Sequence, residues 1–184
     1  MLISWNTTQA CNISCLHCYR DAGDCLRDEL TAEEGKRLLD DAFACGFRIF
    51  VFSGGEPLLR PDLLELIAYA RSIGLRPVLG TNGILLTPQK VAELKQAGLA
   101  AAGISVDSVS PERHDWFRQS AGAWAATVEG MRVCRAAGLP FQVHTTVMDW
   151  NEAEVLAITD KAIEWGAAAH HIFVLVPTGR GYNI

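Results

Sequence analysis

The sequence lacks the features that mark membrane-spanning, nucleic-acid-binding or secreted proteins. No stretch is long and apolar enough to cross a bilayer, although 49% of the 184 residues are hydrophobic. The net charge is −5 and no block of like charges occurs, whereas a nucleic-acid surface needs clustered Lys and Arg. The first residues do not form the charged and apolar pattern of a signal peptide. We therefore expect a cytoplasmic chain with no membrane or nucleic-acid partner.

Cysteine is scarce, but three of the six cysteines lie within eight residues. Cys11, Cys15 and Cys18 have the spacing C-x3-C-x2-C and follow a short apolar run. A disulfide framework would need cysteines that are spread along the chain, and a structural zinc site usually has four ligands in two distant pairs. His17 could complete a zinc site only in competition with Cys18. Three close thiolates suit an iron–sulfur cluster best, with one corner left open to a small molecule.

The remaining cysteines are not grouped. Cys45 and Cys134 lie in helical runs, and we expect both to be small buried apolar side chains. Cys25 lies in a polar loop and receives no predicted role.

A repeated boundary divides the chain into six strand–helix units. Five helical runs end in a glycine, which suits the left-handed conformation at a helix carboxyl end, and an apolar segment follows each glycine. The segments are mostly apolar rather than alternating, as in parallel strands that are covered on both faces. The predicted strands cover residues 2–5, 48–53, 77–81, 101–107, 141–148 and 170–176.

Helix starts are marked as well. Thr31 and Glu34 have the spacing of a capping box, and Asp62 and Thr87 stand where a capping side chain is expected. Alternating strands and helices imply right-handed parallel crossovers. Six units in 184 residues give about 31 residues per unit, the period of a (β/α)8 barrel, but two units too few to close one. An open doubly wound sheet fits the same pattern.

Polar motifs follow the predicted strands where working residues of parallel α/β proteins lie. A Gly-Gly-Glu-Pro turn follows the second strand and a Thr-Asn-Gly turn the third, although either is also an ordinary turn sequence. Ser105 and Asp107 share a face of the fourth strand by the two-residue period. The fifth strand points Gln142, His144 and Thr146 to one side. Three buried polar side chains without partners would be costly, so this face favours a polar cavity.

The cysteine triplet resembles the C-x3-C-x-Φ-C signature of the radical S-adenosylmethionine (SAM) enzymes, with His17 at the aromatic position Φ. The resemblance covers essentially all 184 residues, which we expect to form a single domain. It implies an α/β fold, a partial (β/α)6 barrel of parallel strands with outer helices. It also implies a [4Fe–4S] cluster on Cys11, Cys15 and Cys18, and SAM as the second cofactor.

The same resemblance implies which residues bind SAM. The Gly-Gly-Glu motif would contact the amino group of the methionine moiety, and the serine of the fourth strand its carboxylate or the ribose. Arg118, in an H-D-x-x-R pattern, would pair with the methionine carboxylate, although a surface arginine at a helix start is an equal alternative. The end of the sixth strand, at Val174 or Leu175, would lie near the adenine. The full implied set is His17, Gly54, Gly55, Glu56, Thr81, Asn82, Ser105, Asp107 and Arg118.

The resemblance further implies that the reduced cluster cleaves SAM to methionine and a 5′-deoxyadenosyl radical, which removes a hydrogen atom from the substrate. A flavodoxin or ferredoxin would supply the electron. No catalytic residue is assigned from the sequence.

The sequences of residues 4–8, 18–23, 52–58 and 176–181 resemble those of the haem and haem d1 biosynthesis branch of this family. The substrate would then be a sirohaem-derived tetrapyrrole that loses or changes an acetate or propionate side chain. Arg20, Arg60 and Arg180 are the candidate partners of its carboxylates.

Two other functions stay open on the sequence. One is a peptide-modifying maturase of the radical SAM family, which shares the C-x3-C-x-H-C-Y motif. The other is an iron–sulfur or zinc scaffold without activity, which would also use the three cysteines. Relatives in the branch continue into a cysteine-rich carboxyl-terminal extension. We therefore expect these 184 residues to be the radical SAM core alone, truncated before that extension.

Overall fold

The structure is a computed structural model that describes residues 1–24, 26 and 28–184, so Cys25 lies outside the described residues. Six parallel strands form one curled sheet in chain order, a half-barrel with helices outside it. The strands are β1 (Leu2–Asn6), β2 (Ile49–Ser53), β3 (Arg76–Thr81), β4 (Ala101–Ser105), β5 (Phe141–Val147) and β6 (His170–Val174). The predicted fold class is therefore confirmed, and the doubly wound alternative is wrong, because that fold does not keep its strands in chain order.

The helices are α1 (Ala32–Ala44), α2 (Leu63–Ser72), α3 (Pro88–Gln96), α4 (Pro111–Arg118), α5 (Ala123–Ala136) and α6 (Val155–Trp165). Two of them, α4 and α5, lie between β4 and β5, where a simple repeat would have one. The five predicted glycine boundaries are confirmed, since each glycine has a left-handed φ between 64° and 97°. None of the helices in the described part of the chain is long and apolar enough to cross a membrane.

The three predicted helix starts are correct, and a side-chain cap forms at two of them. Thr31 accepts a hydrogen bond from the Glu34 backbone N–H while the Glu34 carboxylate accepts from the Thr31 N–H, which completes the capping box. Thr87 caps α3 through the Lys90 N–H. Asp62 makes no capping bond, because its carboxylate pairs with the Arg60 guanidinium at 2.6 Å.

The two faces of the sheet carry different side chains. On the outer face, Phe50, Phe52 and Leu79 are fully buried against the helices. The inner face is not covered, contrary to the expectation from the apolar runs, because six strands do not close a barrel around it. Small residues at its inward positions leave room for a cavity, and they are Ser4, Ser53, Gly80, Ala101, Gly103 and Ser105.

The two cysteines predicted to be buried differ. Cys134 is fully buried in the core, as expected. Cys45 is exposed, so that prediction is wrong. It forms the carboxyl-terminal cap of α1, where the last turn of the helix leaves the core.

Helix α5 packs directly on the turn that follows β3. A Cβ added at Gly130 would lie 2.4 Å from the Gly83 carbonyl oxygen, a contact with backbone that cannot easily move. This close approach fixes the turn at the carboxyl end of β3, next to Thr81 and Asn82.

Gly130→Ala tests this packing. Where a helix has free space around it, replacing an interior glycine with alanine stabilises the protein by about 1 kcal/mol. Here we expect the opposite sign, a loss of about 1–3 kcal/mol in the free energy of unfolding, because the added methyl group has no space. Urea unfolding measures it, with Ala125→Gly on the exposed face of α5 as a control for helix propensity alone. A stabilised Gly130→Ala variant would contradict the packing described.

Candidate functional site

A cavity of about 1070 Å³ opens on the inner face of the sheet and continues to the carboxyl ends of the strands. Ten of the twelve predicted cluster and cofactor residues line it. They come from the loop after β1 and from the ends of β2, β3, β4 and helix α4. The ten residues are Cys11, Cys15, His17, Cys18, Gly54, Gly55, Thr81, Asn82, Ser105 and Arg118.

The three cysteines face the cavity and have hydrogen-bond donors around them. Cys15 is buried, and its Sγ accepts from Arg118 Nη1 at 3.7 Å, while Cys18 Sγ accepts from the Ala22 backbone N–H at 3.4 Å. Burial raises the pKa of the Cys11 and Cys15 thiols, so a positive charge must compensate the thiolates that ligate iron. Such donors to sulfur are usual around iron–sulfur clusters.

Within the residues that the structure describes, no three His, Cys, Asp or Glu side chains come close enough to hold one metal ion.

The cysteine loop is held against the Gly-Gly turn after β2. The Gly55 N–H donates to the Thr8 carbonyl at 2.8 Å, and the Glu56 N–H donates to the Ala10 carbonyl at 2.7 Å. A Cβ at Gly55 would lie 2.3 Å from the Ala10 carbonyl oxygen, and one at Gly54 would lie 2.6 Å from that of Thr8. We expected these glycines to contact a ligand. In the structure, the contact that only glycine permits is the one between this turn and the backbone of the cysteine loop.

Glu56 does not line the cavity. Its buried carboxylate accepts hydrogen bonds from the Thr81 hydroxyl and from the backbone N–H groups of Asn82 and Leu58. Desolvation raises the pKa of Glu56 to about 7, although these donors favour the charged form. The side chain therefore connects the turn after β2 to the turn after β3.

Asp107 also lies outside the cavity wall, behind Arg118. Because β4 ends at Ser105 rather than at 107, the two-residue alternation does not continue, and Asp107 turns away from the side that Ser105 faces. Its carboxylate is fully buried, accepts from the Thr146 N–H at 3.0 Å and pairs with Arg118 Nη2 at 2.5 Å. Desolvation opposes its charge, but Arg118 and other nearby groups outweigh that effect and lower the pKa of Asp107.

Arg118 is the last residue of α4 and is only 6% exposed, so the surface alternative for it is wrong. Its guanidinium contacts Asp107 and Cys15, while its buried Nε has no partner in the described structure. An unpartnered buried donor is costly. The cavity therefore offers a cationic site that an anionic ligand would complete.

His17 stacks on Phe117, the neighbour of Arg118 in α4, with ring centroids 4.5 Å apart. Burial, reinforced by the charge of Arg118, lowers the pKa of His17 to about 4, so the imidazole is neutral at pH 7. Its buried Nδ1 has no partner among the described residues.

Of the three arginines proposed for substrate carboxylates, only Arg180 lines the cavity. It donates to the carbonyls of Cys15 and Ala22, and its buried Nη2 has no partner in the described part of the chain. The expectation for Arg60 is wrong, because Asp62 and two backbone carbonyls use its donors and its guanidinium lies over the Trp5 ring. Arg20 donates to Gln9 and lines a separate small pocket.

Strands β5 and β6 form the other wall. Gln142, His144 and Thr146 face the cavity as predicted, and Val174 and Leu175 line it near the carboxyl end of β6. Sequence reasoning missed His171 and Phe173, which also line it. The two-residue period through residues 170–174 was the signal that would have placed them.

The buried Asp107–Arg118 pair should contribute far more than a surface pair. Asp107→Asn leaves the Arg118 charge without its partner, and we expect a loss of about 3–5 kcal/mol in the free energy of unfolding. Glu129→Gln removes one partner of the exposed Glu129–Arg132 pair and should cost no more than about 1 kcal/mol. Urea unfolding of both variants gives the comparison, and equal losses would mean that Asp107 is not the buried partner described here.

Curated proteins of similar sequence align with nearly all of this chain. It is 44% identical to the AdoMet-dependent heme synthase of Methanosarcina barkeri over 98% of this chain and 52% of that protein. It is 39% identical to the Fe-coproporphyrin III synthase of the same organism, over 98% of this chain and 45% of that protein. The chain therefore spans about half the length of these relatives.

A solved structure has the same fold. Streptococcus suis SuiB bound to S-adenosylmethionine superposes with a TM-score of 0.80 over 95% of this chain and 40% of that one, at 16% identity. The family model described as the Radical SAM superfamily matches residues 5–162, which include the end of β1, the cysteine loop and strands β2 to β5. The chain belongs to the radical SAM superfamily.

Proposed function

We propose that this chain is the core of a radical SAM enzyme that acts on a tetrapyrrole. Members of the superfamily use a [4Fe–4S] cluster and SAM. We assign the cluster to Cys11, Cys15 and Cys18. The observation that carries the assignment is that all three thiols line the same cavity, with donors to two of the sulfurs. When bound, the reduced cluster supplies the electron that cleaves SAM to a 5′-deoxyadenosyl radical.

The residues beside the cysteines fit an amino-acid ligand. We propose that the unpartnered Nε of Arg118 and Nη2 of Arg180 bind carboxylates, one of SAM and one of the substrate. Ser105, Thr81 and Asn82 supply hydroxyl and amide groups on the same wall. Glu56 and Asp107 hold these groups in place from behind rather than contacting the ligand.

The substrate class rests on similarity and on the shape of the cavity. The names of the two Methanosarcina barkeri relatives, a heme synthase and an Fe-coproporphyrin III synthase, support an iron tetrapyrrole. A cavity of about 1070 Å³ has the volume for a large ligand beside SAM. We propose removal or modification of an acetate or propionate side chain, with electrons from a reduced flavodoxin or ferredoxin in the cytoplasm.

The test is the formation of 5′-deoxyadenosine by the anaerobically reconstituted, reduced chain. We expect product that increases when didecarboxysirohaem or Fe-coproporphyrin III is added, and no product from Cys15→Ala. Because the substitution removes only the Cys15 sulfur beside an existing cavity, the alanine variant should still fold. Glu129→Gln, which alters only the surface, is the matched control.

Other results would contradict the proposal in separable ways. Product that forms equally without tetrapyrrole would leave the radical chemistry standing and contradict the substrate class. A reconstituted chain that holds zinc without sulfide would refute the radical chemistry itself.

A further inference from the structure

Two imidazoles lie side by side on the wall that β5 and β6 form. His144 and His171 are direct partners in the β5–β6 register, and both line the cavity. Their ring centroids are 5.3 Å apart, with a tilt of 32° between the rings. Neither is needed for the binding of the cluster or of SAM as proposed above.

His144 is held in place by its neighbours. Its Nε2 is 3.5 Å from Gln142 Oε1, and its ring occupies the space beside Gly103, where an added Cβ would lie 2.3 Å from the ring. Burial, and then the nearby histidines, lower the pKa of His144 to about 4. The ring is therefore neutral at pH 7 and forms a fixed aromatic surface for His171 to pack on.

His171 has the opposite character. It is exposed on the edge strand β6, and its ring nitrogens make no hydrogen bond within the residues that the structure describes. His170, the residue before it, points away and hydrogen-bonds to Thr145 and Thr159. The two neighbours thus show a partnered histidine behind the sheet and an unpartnered one in front of it.

The adjacent strands leave space in front of these rings. The His144 ring covers Gly103, and the other inward positions of β3 and β4 next to it are Gly80 and Ser105, which carry no large side chain. A flat ligand can lie along this part of the wall and present its centre to an imidazole. Neutral imidazole is the most common nitrogen ligand of iron, including haem iron.

We propose that His171 coordinates the iron of the tetrapyrrole substrate, and that His144 orients the His171 ring. This inference rests on the proposed function and deepens it. The new bond joins one ring nitrogen of His171 to an open axial position of the iron, with no change in oxidation state. It holds the centre of the macrocycle, while its carboxylates remain free to reach Arg180. His171 is then a substrate-binding residue and His144 a positioning residue.

The experiment compares Fe-coproporphyrin III with iron-free coproporphyrin III. Both are titrated into the anaerobically reconstituted chain as wild type, His171→Phe and Phe173→Leu. His171→Phe keeps an aromatic ring against His144 but removes the nitrogen. Phe173→Leu changes the next inward side chain of β6 and has no ligand to lose.

We expect His171→Phe to weaken Fe-coproporphyrin III binding by about tenfold or more, and to change iron-free binding by less than about twofold. The resonance Raman spectrum of the ferrous wild-type complex should show an iron–imidazole stretching band, since a single axial imidazole leaves the iron high-spin and the absorption and electron paramagnetic resonance (EPR) spectra alone do not identify the ligand. That band should be absent in His171→Phe and His171→Ala, return when imidazole is added to His171→Ala, and persist in Phe173→Leu.

Several results would overturn the inference. If His171→Phe weakened the binding of both pigments equally, His171 would pack against the macrocycle and not ligate its iron. An iron–imidazole band that survives in His171→Phe would place the ligand elsewhere. Loss of the band in His144→Phe but not in His171→Phe would exchange the two roles. If the wild-type chain bound neither pigment, the tetrapyrrole proposal would fail together with the inference, whereas binding without the band would overturn the inference alone.

Discussion

The close approach of the cysteine loop to the Gly54-Gly55 turn is the constraint on which the rest of the site depends. Two backbone hydrogen bonds join residues 8 and 10 to residues 55 and 56, at a separation that no side chain at residue 55 would allow. Glu56 then extends the connection, because its buried carboxylate binds the turn that follows β3. The ends of three successive strands are thereby fixed to one another, and the cysteines are fixed with them.

A second network sets the charge of the cavity. Arg118 is taken out of water between Asp107 and Cys15, which offsets part of the cost of burying its charge. One donor of Arg118 and one of Arg180 remain buried without a partner in the described part of the chain. A cavity with this arrangement favours carboxylates over neutral ligands. That preference agrees with an amino-acid cofactor and a substrate with carboxylate side chains.

Much of this organisation is readable in the sequence, because it depends on local rules. The six units follow from glycine caps, and the cysteine spacing predicts the cluster loop. The errors have physical causes. Asp107 and Glu56 are polar residues at strand ends, but their side chains turn away from the cavity to bind protein donors, which only the tertiary structure determines. Arg60 satisfies Asp62 and distant carbonyls, and Cys45 falls just past the packed face of its helix. Such contacts between distant residues leave no pattern in a single sequence.

The central claim is that Cys11, Cys15 and Cys18 hold a four-iron cluster whose remaining iron is open to the cavity. The most direct measurement is EPR spectroscopy of the anaerobically reconstituted, reduced chain before and after SAM is added. The account predicts a [4Fe–4S] signal that shifts on addition of SAM in wild type and is absent in Cys11→Ala, Cys15→Ala and Cys18→Ala. A cluster signal that SAM leaves unchanged, or one that survives the loss of these thiols, would contradict it.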